Sequence, residues 1–240
     1  MRIFPALFLL LVLTLSACRF MSGERVDGNG VRSTEQRNVA NFNGVSVSGG
    51  MHVVLTSGSH SVRVEADENL LQYIETELDG NTLEIGPRKG YNLRPEQEIK
   101  VYVSAPYFNN LEVSGSGSVT SESRIKAENR LEADISGSGD MKLDVDAPEV
   151  NMEVTGSGNV TLRGGTRKLR AKITGSGELM AFDLMSEETE VEISGAGNAE
   201  VYASKVLGVS VNGAGNVSYK GNPPSLNQNI SGAGNVRKVE

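Results

Sequence analysis

From Leu111 onward the chain repeats one short pattern of apolar and polar positions. The tetrapeptide [Ser/Thr/Asn]-Gly-[Ser/Ala]-Gly occurs seven times, with its first glycine at 115, 137, 156, 175, 195, 213 and 232. The spacings are 22, 19, 19, 20, 18 and 19 residues. Two residues before each first glycine stands a β-branched side chain: Val113, Ile135, Val154, Ile173, Ile193, Val211 and Ile230. Four residues after it stands an apolar one: Val119, Met141, Val160, Leu179, Ala199, Val217 and Val236. The flanks alternate, as in Val191-Glu192-Ile193 and Val160-Thr161-Leu162. That period of two belongs to strands buried on one face. Each repeat therefore reads as two short strands meeting at a corner. The corner pairs are Gly115 and Gly117, Gly137 and Gly139, Gly156 and Gly158, Gly175 and Gly177, Gly195 and Gly197, Gly213 and Gly215, and Gly232 and Gly234. Glycine suits them because a tight corner needs positive φ or a close backbone approach, and a Cβ forbids both.

A period near 19 residues is too short for helical-pair repeats or propeller blades. If each repeat is one coil, coils stack so that each strand pairs in parallel with its equivalent about 4.8 Å away. The expectation is an all-β fold: a right-handed parallel β-helix-like solenoid of about 19 residues per coil over residues 111–240, with an N-terminal β-sheet cap. The Val/Ile ladder then lies inside, each member contributing on the order of 2 kcal/mol on burial. Outside it run a hydroxyl and amide ladder (Ser114, Ser136, Thr155, Thr174, Ser194, Asn212, Ser231) and a partial Asn ladder (Asn159, Asn198, Asn216, Asn235). A second corner per repeat has its own turn signals, such as Asp146-Ala147-Pro148, Gly164-Gly165 and Asn222-Pro223-Pro224. An antiparallel sandwich using Gly-X-Gly as hairpin turns is the competing arrangement, and the uniform register favours the solenoid.

Residues 38–110 lack the tetrapeptide but alternate in the same way, as in Met51-His52-Val53-Val54-Leu55 and Ile99-Lys100-Val101-Tyr102-Val103. Asp67 to Tyr73 reads as a short helix that Asp67 could cap. This segment is expected to cover the open sheet edge at one end of the solenoid. At the other end Val236-Arg237-Lys238-Val239-Glu240 carries charge that discourages edge pairing. Residues 18–37, polar and glycine-containing, read as a flexible tether.

The chain begins with Arg2, an apolar run from Ile3 to Leu15, and Leu15-Ser16-Ala17-Cys18. A charged start, a short apolar stretch and small residues before a break describe a secretory signal peptide over residues 1–17. A transmembrane anchor would need roughly 20 apolar residues, more than this run supplies. Leu-Ser-Ala-Cys resembles the lipobox of bacterial lipoproteins. That resemblance implies acyl chains such as palmitate on Cys18, membrane attachment through them, and, with Arg19 rather than Asp next, an outer-membrane destination.

Composition narrows the chemistry. One Cys excludes an internal disulfide, and one Cys with two His cannot build a Cys/His zinc site. Loss of Arg2 with the first 17 residues takes the formal net charge from −7 to −8. An acidic chain without a sustained basic stretch argues against nucleic acid as a partner. The glycine motif is no phosphate loop, since strand residues rather than Lys-Ser/Thr and a helix follow it. It is no calcium repeat either, because an acid follows the corner only at Asp140 and Glu178.

A hydrolase or lyase would need paired carboxylates, for which Asp144, Asp146, Glu149 and Glu153, or Glu187, Glu188, Glu190 and Glu192, are the candidates. Acids spread through most repeats read instead as a solvated face, so no catalytic residue, metal or cofactor is assigned. His52 and His60 stand apart from any nucleophile motif. The best contact candidate is the stretch 87–95, with Arg88, Lys89, Tyr91 and Arg94 in an otherwise acidic protein.

The order of lipobox, polar tether, alternating strands and repeated Ser-Gly-Ser-Gly or Ser-Gly-Ala-Gly-Asn resembles the bacterial head GIN domain family of auto-transporter adhesins. The resemblance covers residues 38–240 as one continuous domain and rests on Asn41-Phe42-Asn43-Gly44-Val45, Leu111-Glu112-Val113-Ser114-Gly115-Ser116-Gly117 and Ile193-Ser194-Gly195-Ala196-Gly197-Asn198. It implies an exported, often lipid-anchored β-solenoid with an adhesive role, a glycan or surface protein as ligand, and no established catalytic residues.

Overall fold

The computed structural model describes residues 23–240. The signal peptide over 1–17 and the lipidation site Cys18 lie outside the described residues. In chain order the strands are β1 (Glu24–Asp27), β2 (Arg32–Arg37), β3 (Gly44–Gly49), β4 (His52–Ser57), β5 (Ser61–Asp67), β6 (Ile74–Asp79), β7 (Thr82–Pro87), β8 (Tyr91–Arg94), β9 (Lys100–Ala105) and β10 (Asn110–Gly115). They continue as β11 (Ser118–Ser121), β12 (Ile125–Lys126), β13 (Arg130–Gly137), β14 (Asp140–Gly156), β15 (Asn159–Gly175), β16 (Glu178–Gly195), β17 (Asn198–Tyr202), β18 (Val206–Gly213), β19 (Asn216–Lys220), β20 (Ser225–Gly232) and β21 (Asn235–Lys238).

The repeats stack as parallel coils of a β-solenoid of about seven turns. Each corner lies over the next in strict register: Gly115 opposite Gly137, then Gly156, Gly175, Gly195, Gly213 and Gly232. The two glycines of a corner are needed for different reasons. The first has φ between 105° and 134° in all seven repeats, a region that penalises a Cβ. The second has ordinary φ but no room: a Cβ on Gly197 would lie 2.6 Å from Ile173 Cγ2 and 2.8 Å from the Gly177 carbonyl oxygen. Backbone pairing carries on through the turn. The Ser157 N–H donates to the Gly137 carbonyl (2.8 Å), and the Asn159 N–H donates to that of Gly139 (3.2 Å).

Behind the corners the Val/Ile ladder is buried to 2% exposure or less from Val113 to Val211 and opens only at Ile230, which is 39% exposed. The second corner is softer than the sequence suggests. β14, β15 and β16 run through it without a break, bending at places such as Gly164, whose φ is 112°.

The solenoid starts earlier than residue 111, so the expected division between cap and repeats is not a structural one. β3 pairs in parallel with both β10 and β7, while β4 pairs in parallel with β11 and β9. Val47-Ser48-Gly49-Gly50 is thus a further corner, with Gly49 (φ 80°) opposite Gly115. The stacking order departs from chain order, because the coil built by β7 and β9 lies outside the one built by β3 and β4. Antiparallel strands then close this end: β6 on β7, β5 on β9 and β2 on β5. The tether expected over 18–37 is corrected accordingly. Within it β1 pairs in parallel with β8 and β2 pairs antiparallel with β5, so that this all-polar strand finishes an edge. Glu68–Tyr73 forms a 3-10 helix, and the buried Asp67 carboxylate accepts from the Glu96 and Gln97 N–H groups (2.9 and 3.2 Å) instead of capping it.

Candidate functional site

Alternation along the strands after the second corner sends positions three and five before each first glycine outward. In-register stacking turns them into two outer ladders. One runs Glu112, Asp134, Glu153, Lys172, Glu192, Ser210, Asn229. The other runs Asn110, Glu132, Asn151, Arg170, Glu190, Gly208, Asn227. From β13 to β20 these residues line an open groove of about 800 Å³. On β18 its lining is short, with Gly208 and Ser210 after the long side chains of β15 and β16.

Charge along the groove changes in bands. At one end Glu112, Glu132, Asp134 and Glu153 stand on three neighbouring strands. Partial burial and then the nearby Glu132, Glu153 and Glu112 push the Asp134 carboxyl up to about 6. The middle band holds both groove cations, each already engaged. Lys172 donates to Glu153 Oε1 (2.9 Å), a bond that raises its ammonium above the ordinary lysine range. Arg170 bridges Glu149 and Glu190. Asn151 Nδ2 donates to Glu132 (3.2 Å), while its buried Oδ1 has no partner. The far band, Gly208, Ser210, Asn227 and Asn229, is neutral and ends on two amides.

Five of the eight acids singled out for a possible hydrolase, Asp144, Glu149, Glu153, Glu187 and Glu190, stand in ion pairs between coils. Asp144 meets Arg124 (2.7 Å) and Arg163 (3.1 Å), and Glu187 meets Lys205 (2.8 Å). Glu149 and Glu153 are taken by Arg170 and Lys172. Among the described residues no group of three or more His, Cys, Asp or Glu side chains is placed to hold a metal ion. His52 Nε2 lies 2.9 Å from Thr120 Oγ1, and His60 Nε2 lies 2.8 Å from the Phe42 carbonyl oxygen. The two rings are held apart as separate structural contacts.

The stretch 87–95 is less free than its sequence suggests. Arg88 pairs with Glu75 (3.2 Å), the Tyr91 ring packs on Tyr73 at 4.7 Å between centroids, and Tyr91–Arg94 is β8. Lys89 and Arg94 remain exposed.

The family model described as "Putative auto-transporter adhesin, head GIN domain" matches residues 41–223, most of the chain. The chain belongs to the head GIN domain family. Solved structures of similar shape accompany this head GIN domain. A putative adhesin from Bacteroides fragilis is 21% identical, with a TM-score of 0.82, covering 89% of this chain and all of its own. A putative lipid binding protein from Parabacteroides distasonis is 26% identical, with a TM-score of 0.76, over 90% of this chain and all of its own. A putative adhesin from the same species is 24% identical with a TM-score of 0.72, over 90% and 100%. No curated protein matches the chain.

The groove residues Asp134, Asn151, Lys172 and Ser210 are not singled out by motif reading. The signal that finds them is positional: three or five residues before each first glycine.

Proposed function

We propose that this head GIN domain is a non-catalytic, lipid-anchored binding scaffold of the cell envelope, which holds a polysaccharide or a surface protein against its solenoid face. The observation that carries this reading is the groove from β13 to β20, a periodic row of amide, hydroxyl and charged groups with rungs about 4.8 Å apart. A row of that kind offers repeated hydrogen bonds to a repeating ligand. Two of its acids, Glu153 and Glu190, are held by Lys172 and Arg170 of a neighbouring coil. Attachment through Cys18 would carry the scaffold on the outer membrane, and the resemblance of Leu-Ser-Ala-Cys to a lipobox supports that placement.

Two experiments test the proposal. Cys18→Ser is expected to move the protein from the membrane to the soluble fraction; a variant that stays with the membrane would remove the lipid anchor from the account. The released full chain is then applied to arrays of envelope polysaccharides, plant polysaccharides and purified surface proteins. Binding without release of reducing ends or unsaturated products is expected. Turnover lost in Asp144→Ala or Glu190→Ala would establish a carbohydrate-active enzyme instead.

A further inference from the structure

At the two ends of the solenoid four strands pair on one side only, and one of them is built differently from the rest. β6 and β2 end the N-terminal side, and both carry charge: Glu75, Glu77 and Asp79 on β6, Arg32, Glu35 and Arg37 on β2. β21 carries Arg237 and Lys238. Charged edges resist pairing with another chain. β20 runs Ser225-Leu226-Asn227-Gln228-Asn229-Ile230-Ser231-Gly232 without a charge or a proline. It pairs with β18 on one side only, and all eight residues are exposed. Its inward-facing Leu226 and Ile230 lie 40% and 39% exposed, although their ladder partners Leu207 and Val211 are fully buried.

The order of side chains says what fits this edge. Leu226-Asn227-Gln228-Asn229-Ile230 reads the same chemically in both directions: apolar, Asn, Gln, Asn, apolar. Strands paired antiparallel place directly opposite residues on the same face. A second β20, turned about a two-fold axis through Gln228, would therefore set Leu226 against Ile230, Gln228 against Gln228, and Asn227 against Asn229. Every inward position meets an inward one, and every outward amide meets an amide. Gln228 itself is out of place in a single copy. It occupies the inward ladder that runs Ala133, Met152, Ala171, Val191 and Val209, where all earlier members are apolar and buried. A primary amide on the axis can donate to and accept from its own image.

We infer that β20 pairs antiparallel with β20 of a second copy of this chain, about a two-fold axis at Gln228, so that two solenoids join end to end. The interface is isologous, and closure at two copies follows from the symmetry.

The test uses the full chain carrying Cys18→Ser, which removes any lipid-driven association. Light scattering over a wide concentration range should show twice the mass that the same purified chain shows in denaturant. Gln228→Lys and Gln228→Glu each put like charges on the axis and should each give a monomer with unchanged circular dichroism. Mixing those two variants should restore the double mass. In the same background Gln228→Cys is the chain's single cysteine, and on oxidation it should form the covalent pair by itself. A wild-type monomer throughout, a dimer indifferent to Gln228→Lys, or growth into longer filaments would each overturn the inference.

Discussion

At the scale of single residues the corner glycines decide the fold, and they do so for two separable reasons. Gly195 sits at φ 129°, and a Cβ there would lie 2.4 Å from the Gly175 carbonyl oxygen. Gly195→Val therefore combines left-handed backbone strain with a clash against fixed backbone and should cost at least about 2 kcal/mol. Thermal melting checks this, with Gly165→Ala as the control. Gly165 has no positive φ and nothing within 4 Å of its would-be Cβ, so its replacement should leave the melting temperature nearly unchanged. A melting curve for Gly195→Val that overlays the wild type would remove the corner from the account. These positions are legible in sequence because positive φ and close approach are local demands that only glycine meets. Asp67 shows the opposite case. Its place before Glu68–Tyr73 suggests a cap, yet the partners of its carboxylate, Glu96 and Gln97, come from almost thirty residues away.

At the scale of elements, in-register stacking makes neighbours of residues about 19 positions apart and so decides which charges meet. Asp134 on β13 faces Glu112 on β10 and Glu153 on β14, and its carboxyl is raised from 3.8 to about 6. The folded chain thus holds this proton more tightly than the unfolded chain. Stability from this site is fully present below about pH 4 and is lost as pH rises through about 6. Because the group is about half exposed, solvent screening leaves an effect of about 1 kcal/mol. Asp134→Asn should accordingly melt higher than the wild type at pH 7.5, and that advantage should shrink as pH falls through 6 and vanish below about pH 4. An advantage that does not change with pH would show that the carboxylate ladder is not its source. The alternation that builds these ladders is visible in sequence from Leu111 on. The stacking order is hidden in residues 38–110, where the strands alternate too but β7 and β9 follow β3 and β4 in the chain and stack outside them. A repeat reading assumes that each coil lies on the one before it, so this reversal leaves no periodic trace. β2 escapes for a related reason, since an edge strand with Arg32, Glu35 and Arg37 has the composition of a linker.

For the whole molecule, glycine corners and aliphatic ladders produce a stacked scaffold whose sides differ more than its core does. The core repeats from coil to coil, while the outer ladders pass from acidic through mixed to neutral amide along the groove. The most direct measurement is the binding of the full Cys18→Ser chain to arrayed polysaccharides and surface proteins, compared with the same chain carrying Ser210→Trp. Ser210 lines the groove from the outward side of β18, so tryptophan there should fill the groove, and an unchanged melting temperature is the control for folding. A role for the groove predicts at least a tenfold loss of affinity, about 1.4 kcal/mol, for the ligand that the wild type binds. Undiminished binding by the Ser210→Trp chain, or no binding by the wild type to any polymer or surface protein, would contradict it.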